Sequence, residues 1–243
     1  MENASYIALS HQVALNNEMA VVANNIANIG TPGFRREGMI FAEYLAKTGK
    51  TAARAETLSY VSERGLARNV MSGPIEETGN ALDVAIAGNA LFVVETREGQ
   101  RYTRSGHFRL DPTGQIITQS GDVVQGANGP LAIQPDATEI IIADDGTVST
   151  DRGRVGQLQL VRFDNDRQLE KAGNGLYRAS AAPGPAPDAS IIQGSIERAN
   201  VQPVLEITRM IEIMRLYQSN QNLIQMEHDR QKRVIEMLPA FTG

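Results

Sequence analysis

Cysteine is absent from the 243 residues, which excludes a disulfide framework, a thiolate nucleophile and a cysteine-based zinc site. Tryptophan is absent too, and phenylalanine and tyrosine number six each, which disfavours a large aromatic-lined pocket. The three histidines, His11, His107 and His228, stand far apart without HxH or HxxxH spacing, so neither a metal centre nor a cofactor site is expected. No window of about 20 residues is apolar enough to span a bilayer, and membrane insertion is not expected. With a formal charge of −5 and no basic run, nucleic acid is not expected as a partner either. The opening Met-Glu-Asn-Ala-Ser lacks the basic and apolar stretches of a secretory signal. No cleaved leader is expected, and the cytoplasm is the default location unless the chain leaves by another route.

What the chain does have is two long amphipathic patterns at its ends. In the first, Tyr6 to Ile29, a 3–4 spaced stripe runs through Ala8, Leu15, Met19, Val22, Ile26 and Ile29, interrupted by Gln12. Asn3 or Ser5 can cap it, and Gly30-Thr31-Pro32-Gly33 stops it. Before Arg35 its charged side chains are Glu2 and Glu18, whereas asparagine stands at 3, 16, 17, 24, 25 and 28. A solvated helix face normally carries charge, so this helix is expected to be enclosed by other protein, with nearly all its stability coming from packing.

The second pattern, Val204 to Leu238, places Ile207, Met210, Met214, Tyr217, Ile224, Ile235 and Leu238 on one stripe, broken by Gln221, His228 and Gln231. Asn200 to Pro203 opens it, with proline tolerated in the first turn. Its outer face is expected to pair opposite charges at helical spacing: Glu206 with Arg209, Glu212 with Arg215, Asp229 with Arg233 and Lys232 with Glu236. Five acidic and five basic side chains from Glu206 to Glu236 leave it neutral, so no membrane-surface attraction follows. A second row, Leu216, Leu223, Val234 and Met237, gives this helix two apolar faces and hence two neighbours.

Between the ends the texture differs. Residues 35–77 hold a short apolar cluster, Met39 to Leu45, then a stretch without period, and read as an extended or flexible interaction segment. Gly49-Lys50-Thr51 lacks both the upstream glycine and the preceding strand of a phosphate loop. From 78 to 180 short apolar runs alternate with turn residues, predicting an antiparallel, hairpin-rich β domain. Strands are expected at 82–86, 91–94, 101–103, 108–110, 115–118, 123–124, 131–133, 139–142 and 157–163. Residues 181–199 read as a Pro/Ala-rich connection, because Pro183, Pro185 and Pro187 oppose regular structure. The fold class is α+β, mainly β, with the long terminal helices (1–34 and 200–243) forming a coiled-coil-like core element.

Candidate chemistry is thin. Asp83, Asp111, Asp144 and Asp145 can be drawn as paired carboxylates or calcium ligands, yet each lies in or beside an expected turn, where aspartate bonds local backbone. Arg104, between hydroxyls in Tyr102-Thr-Arg-Ser-Gly106, is expected to pair with a structural acid or a neighbouring subunit. Ser105 and His107 sit two apart, but no Ser-His-Asp order is readable. No catalytic residue is assigned.

Three blocks then resemble the bacterial flagellar rod, hook and hook-associated axial proteins. They are Val22-Ala-Asn-Asn-Ile-Ala-Asn-Ile-Gly-Thr-Pro-Gly-Phe-Arg35, the central Thr78-Gly-Asn-Ala-Leu-Asp-Val-Ala-Ile-Ala-Gly88 with Tyr102 to Phe108, and Gly194-Ser-Ile-Glu-Arg-Ala-Asn-Val201 followed by Arg215-Leu-Tyr217. Ala81, Ala90 and Leu91 depart mildly from the central pattern. The length, without a large inserted outer domain, resembles a rod subunit, of the proximal-rod type first and the distal-rod type second. The resemblance implies a structural, non-enzymatic subunit of the periplasm-spanning rod of the basal body. It implies delivery by the flagellar export apparatus without a cleaved signal, and polymerisation with itself and other rod subunits. The assembly interface implied comprises Leu15, Met19, Val22, Asn24, Asn25, Ile26, Asn28, Ile29 and Phe34 with Ile207, Met210, Met214, Tyr217, Ile224, Ile235 and Leu238. The alternative from another class is a soluble β-domain binding or hydrolase module dimerised by its helices, with a pocket at Asp83, Arg104 and His107.

Overall fold

The computed structural model describes residues 2–48, 56–134, 136–165 and 168–237, so Gly49-Lys50-Thr51 and Leu238 lie outside the described residues. Helix α1 (Glu2–Ala27) is followed by β1 (Glu37–Thr48), β2 (Glu56–Arg68), β3 (Ile75–Glu77), β4 (Val84–Ala87), β5 (Leu91–Thr96) and β6 (Gly99–Thr103). Next come β7 (Phe108–Leu110), β8 (Ile116–Thr118), β9 (Val123–Gly126), β10 (Gly129–Pro130), β11 (Ile140–Ile142), β12 (Thr147–Thr150) and β13 (Gly153–Gln157). Strands β14 (Leu160–Arg162), β15 (Leu169–Gly173), β16 (Leu176–Ala179), β17 (Gly184–Pro185), β18 (Ser190–Gln193) and β19 (Ser195–Glu197) lead to α2 (Pro203–Met237). The class is α+β, with every strand pair antiparallel.

The chain divides into two units, the first of Met1–Ala27, Glu37–Arg68 and Gln202–Gly243, the second of Asn28–Arg36 and Asn69–Val201. In the first unit α1 and α2 run antiparallel, as the pairs Ala8–Asn220, Gln12–Tyr217, Glu18–Arg209 and Asn25–Glu206 show. Strands β1 and β2 pair from Glu37–Arg68 to Thr48–Glu56. The sequence shows no period here for a physical reason. A bulge lies between Ile40 and Phe41, which face Gly65 and Glu63, and a bulge shifts the inside-outside alternation by one residue within the strand.

In the second unit the largest sheet runs β15-β16-β6-β5-β9-β8-β7, with β10 on β9 and β14 between β5 and β17. Along β5, Phe92 and Val94 enter one core with Phe108, Ile116, Val124 and Ile191, while Val93 enters another with Tyr102, Val161, Phe163 and Tyr177. Burial on both faces is why Leu91–Val94 reads as an unbroken apolar run. Edge-to-face rings close both cores, Phe92 on Phe108 at 5.1 Å and Tyr102 on Phe163 at 4.9 Å.

Three expectations need correcting. Residues 157–163 form two strands, because Leu158 and Gln159 turn their N–H groups to Gly146 and Gln125 between β13 and β14. Residues 131–133 are not a strand, although Leu131 and Ile133 are buried; their backbone meets Ile116 and Gly114 at single positions. The prolines do not end the β body: β17 pairs with β14 and β18 with β4, since a proline in a two-residue edge pairing withholds no needed donor.

Candidate functional site

The inner face of the helix pair is built on Leu15, Val22 and Ile213, all buried, with Met19, Ile26, Met210 and Tyr217 packed on them. On α2 this face follows the row Glu206, Met210, Ile213, Tyr217, Asn220 and Ile224, alternating four and three residues apart. Its polar members are satisfied. The Asn220 amide donates to the Ala8 carbonyl at 2.8 Å, and Gln12 donates to the Tyr217 hydroxyl at 3.0 Å. Asn25, fully buried, donates to Glu206 Oε2 at 3.1 Å and to the Glu37 carbonyl at 2.8 Å, while its own carbonyl accepts the Glu37 N–H at 3.0 Å. One asparagine thus ties α1 to the first residue of β1 and to the first turn of α2.

The expected interface residues therefore separate. Leu15, Met19, Val22, Ile26, Met210 and Tyr217 meet within the chain, with Ile224 half-buried further along α2. Ile207 and Met214 point outward at 49% and 47% exposure, against 0% for Ile213, and Asn24 is exposed. Ile235 lies on α2. Asn28, Ile29 and Phe34 belong to the second unit, where Ile29 and Phe34 pack with Ala199 and Val201 and the Asn28 carbonyl accepts the Thr31 N–H. Ile213 and Asn220 escaped the sequence reading, and Glu206, expected on the outer face with Arg209, is instead buried against Asn25, while Arg209 pairs with Glu18. The 4–3 spacing was the available signal, but two phases share Met210, Tyr217 and Ile224, and hydrophobicity favours the phase with Ile207 and Met214 over one that buries Glu206 and Asn220.

The helix pair exposes apolar side chains on two sides. Tyr6, Leu9 and Val13 are 61%, 53% and 52% exposed, and Val204, Leu205, Ile211, Leu216 and Leu223 are exposed along α2. Between α1, α2 and β1 lies a groove of about 310 Å³, lined by His11, Ala14, Leu15, Glu18, Phe41, Arg209 and Leu216. Its ion pair is closed on itself, Arg209 Nη2 to Glu18 Oε1 at 2.5 Å, and the hydrogen bonds that the guanidinium donates to Glu18 hold its pKa above the ordinary value.

In the second unit the signature loop is held by charge. Glu197, 2% exposed, accepts Arg104 Nε at 2.5 Å, Arg35 Nη2 at 3.1 Å and the Gly73 N–H at 2.9 Å. Arg104 also donates to the carbonyls of Ala90 and Ile86, and Arg35 to those of Val70 and Met71. Gly33, at φ 69°, brings the loop so close that a Cβ would sit 2.6 Å from the Arg104 carbonyl carbon. The structural acid expected for Arg104 is Glu197.

Asp83 accepts hydrogen bonds from Thr78 Oγ1 at 2.7 Å and from His107 Nδ1 at 2.5 Å, with its carbonyl taking the Gly194 N–H. Arg104 is committed to Glu197, so Asp83, Arg104 and His107 do not converge on a substrate pocket. Asp111 Oδ1 accepts Thr113 and Gln115 N–H groups, and the Thr113 hydroxyl bond, with these backbone bonds, draws its pKa below the ordinary value. Asp145 is lowered by the Thr147 N–H and hydroxyl. No cluster of three metal-ligating side chains occurs among the described residues.

Comparison with known proteins places these elements in one family. Residues 85–150 match the flagellar hook protein FlgE/F/G D1 domain, 192–237 the C-terminal region of flagellar basal-body rod FlgEFG proteins, and 6–35 the flagella basal body rod protein family. The chain is 40% identical to the flagellar basal-body rod protein FlgF of Caulobacter vibrioides over 241 residues, covering 98% of both chains. It is 31% identical to FlgF of Mesorhizobium japonicum, again over 98% of both. The rod protein FlgG of Bacillus subtilis is 34% identical, over 92% of this chain and 94% of that one. With its terminal helices and β body matched in order and over nearly full length, the chain belongs to the family of flagellar basal-body rod proteins, structural subunits rather than enzymes.

Proposed function

We propose that the chain is an FlgF-type subunit of the proximal rod that polymerises with its own copies and with other axial proteins through α1 and α2, packed as a coiled-coil-like inner wall. The observation that carries this reading is the apolar surface of the helix pair, exposed on two sides although one face is already buried within the chain. Large apolar side chains, worth about 1.5–3 kcal/mol each when buried, can hold a many-neighbour tube of helices that are marginal alone. The 35–77 stretch serves as an interaction segment, with Ile40, Phe41, Leu66, Val70 and Met71 exposed. Delivery is through the flagellar export apparatus without cleavage, and among the described residues no helix is long and apolar enough to cross a membrane. The full-length likeness to FlgF proteins favours the proximal over the distal position.

The experiment is Met214→Asp in cells whose only copy is the variant. Swimming is expected to be lost while the purified variant keeps the circular dichroism of the parent. Normal swimming overturns assembly through the outward faces of the helices.

A further inference from the structure

The groove between α1, α2 and β1 has an unusual neighbour: the opposite side of the same helix pair. At about 100° per residue, positions 6, 9 and 13 of α1 point away from 11, 14 and 18, which line the groove. The stripe continues at 3–4 spacing through Asn16, Ala20, Ala23 and Ala27, all exposed, and carries no charge. Large side chains thus stand at its N-terminal end and alanines at its C-terminal end.

The groove suits such a stripe better than it suits a small ligand. At about 310 Å³ it lies at the low end of the ligand-sized range of roughly 300–1,000 Å³, and its charged pair, Glu18 and Arg209, is already satisfied internally. What it offers a visitor is the apolar wall of Leu15, Phe41 and Leu216, the last two open at 39% and 48% exposure. An uncharged apolar knob fits this chemistry. The chain itself presents one on its far side.

We infer that this groove is a socket for a second copy of the chain, filled by Leu9 and Val13 from the opposite side of that copy's helix pair. The inference rests on the proposed assembly through the helices and names the contact it uses. Socket and knob lie on opposite sides of one unit, so the contact is head-to-tail and leaves a free socket and a free knob after every addition. A face-to-face contact of either side with itself would stop at two.

The test exploits the absence of cysteine from this chain, so its reactive thiols are the introduced ones. Val13→Cys combined with Leu216→Cys, as the only copy in cells, is treated with a short bis-maleimide in isolated basal bodies. A ladder of this chain's multiples is expected from the double variant and from neither single variant. Cross-linked dimers from Val13→Cys alone overturn the inference, because they report a face-to-face contact. A product containing another protein overturns the second copy as occupant. Should the Val13 pair stop swimming, Leu9→Cys with Leu216→Cys is read in its place, and no ladder from either pair overturns the socket. Failure of the wider reading is separable: it requires Met214→Asp cells to swim, whereas a missing ladder beside non-swimming Met214→Asp cells removes the socket alone.

Discussion

The helix unit and the β unit solve burial differently. The β unit fills two cores and locks its signature loop with a carboxylate shared by two guanidinium groups. The helix unit buries Leu15, Val22 and Ile213 fully, with four partly buried neighbours, and leaves apolar rows open on two sides. The β unit is held mainly by its own cores. The helix unit leaves open the rows that the proposed assembly would cover.

The largest effect is expected in the β unit. Glu197→Ala leaves two buried arginines without their acid and is expected to cost about 3–5 kcal/mol, read from amide exchange in β5 and β6. A loss below about 1 kcal/mol makes the cluster ornamental and weakens the contrast. Next comes Ile213→Ala, at about 2–5 kcal/mol in the isolated chain, against Met214→Ala within about 0.5 kcal/mol. Equal losses at these adjacent residues erase the distinction between inner and outer faces. Asn25→Ala removes the bonds to Glu37 and Glu206 and is expected to cost about 1–3 kcal/mol in exchange protection of α1, while Asn24→Ala, on the exposed side, is expected to cost less.

The smallest effect is in pH dependence. Because the folded pKa of Asp111 is lowered, first by the Thr113 hydroxyl, its contribution is fully present above the unfolded carboxylate value of about 3.9 and is lost as pH falls through the depressed folded value. Asp111→Asn keeps an acceptor for the turn and removes that titration. The variant's turn at 111–115 is expected to hold its exchange protection more evenly between pH 5 and 2 than the parent's; identical profiles refute the assignment.

Much of this was legible in the residues. Phe108–Leu110 reads as a strand and is β7, because Asp111 to Gly114 announce its turn. Met210 and Tyr217 read as members of one amphipathic stripe, and they pack on Ile213 within the chain. The hairpin β1–β2 was not legible, since its bulge breaks the alternation that marks strands. Nor was the Arg104 partner, which stands 93 residues away on β19.

By itself, the sequence determined that there are two long amphipathic ends and a turn-rich β middle, because period and turn chemistry are local properties. The family motif was equally local, with Gly33 and Arg35 at set spacing. Only the tertiary structure decided which side of α2 faces inward. Hydrophobicity ranks Ile207 and Met214 above Glu206 and Asn220, yet Glu206 and Asn220 go inside because Asn25 and the Ala8 carbonyl wait for them. A buried polar group costs little once it is hydrogen-bonded, and where that partner stands is a property of the folded chain.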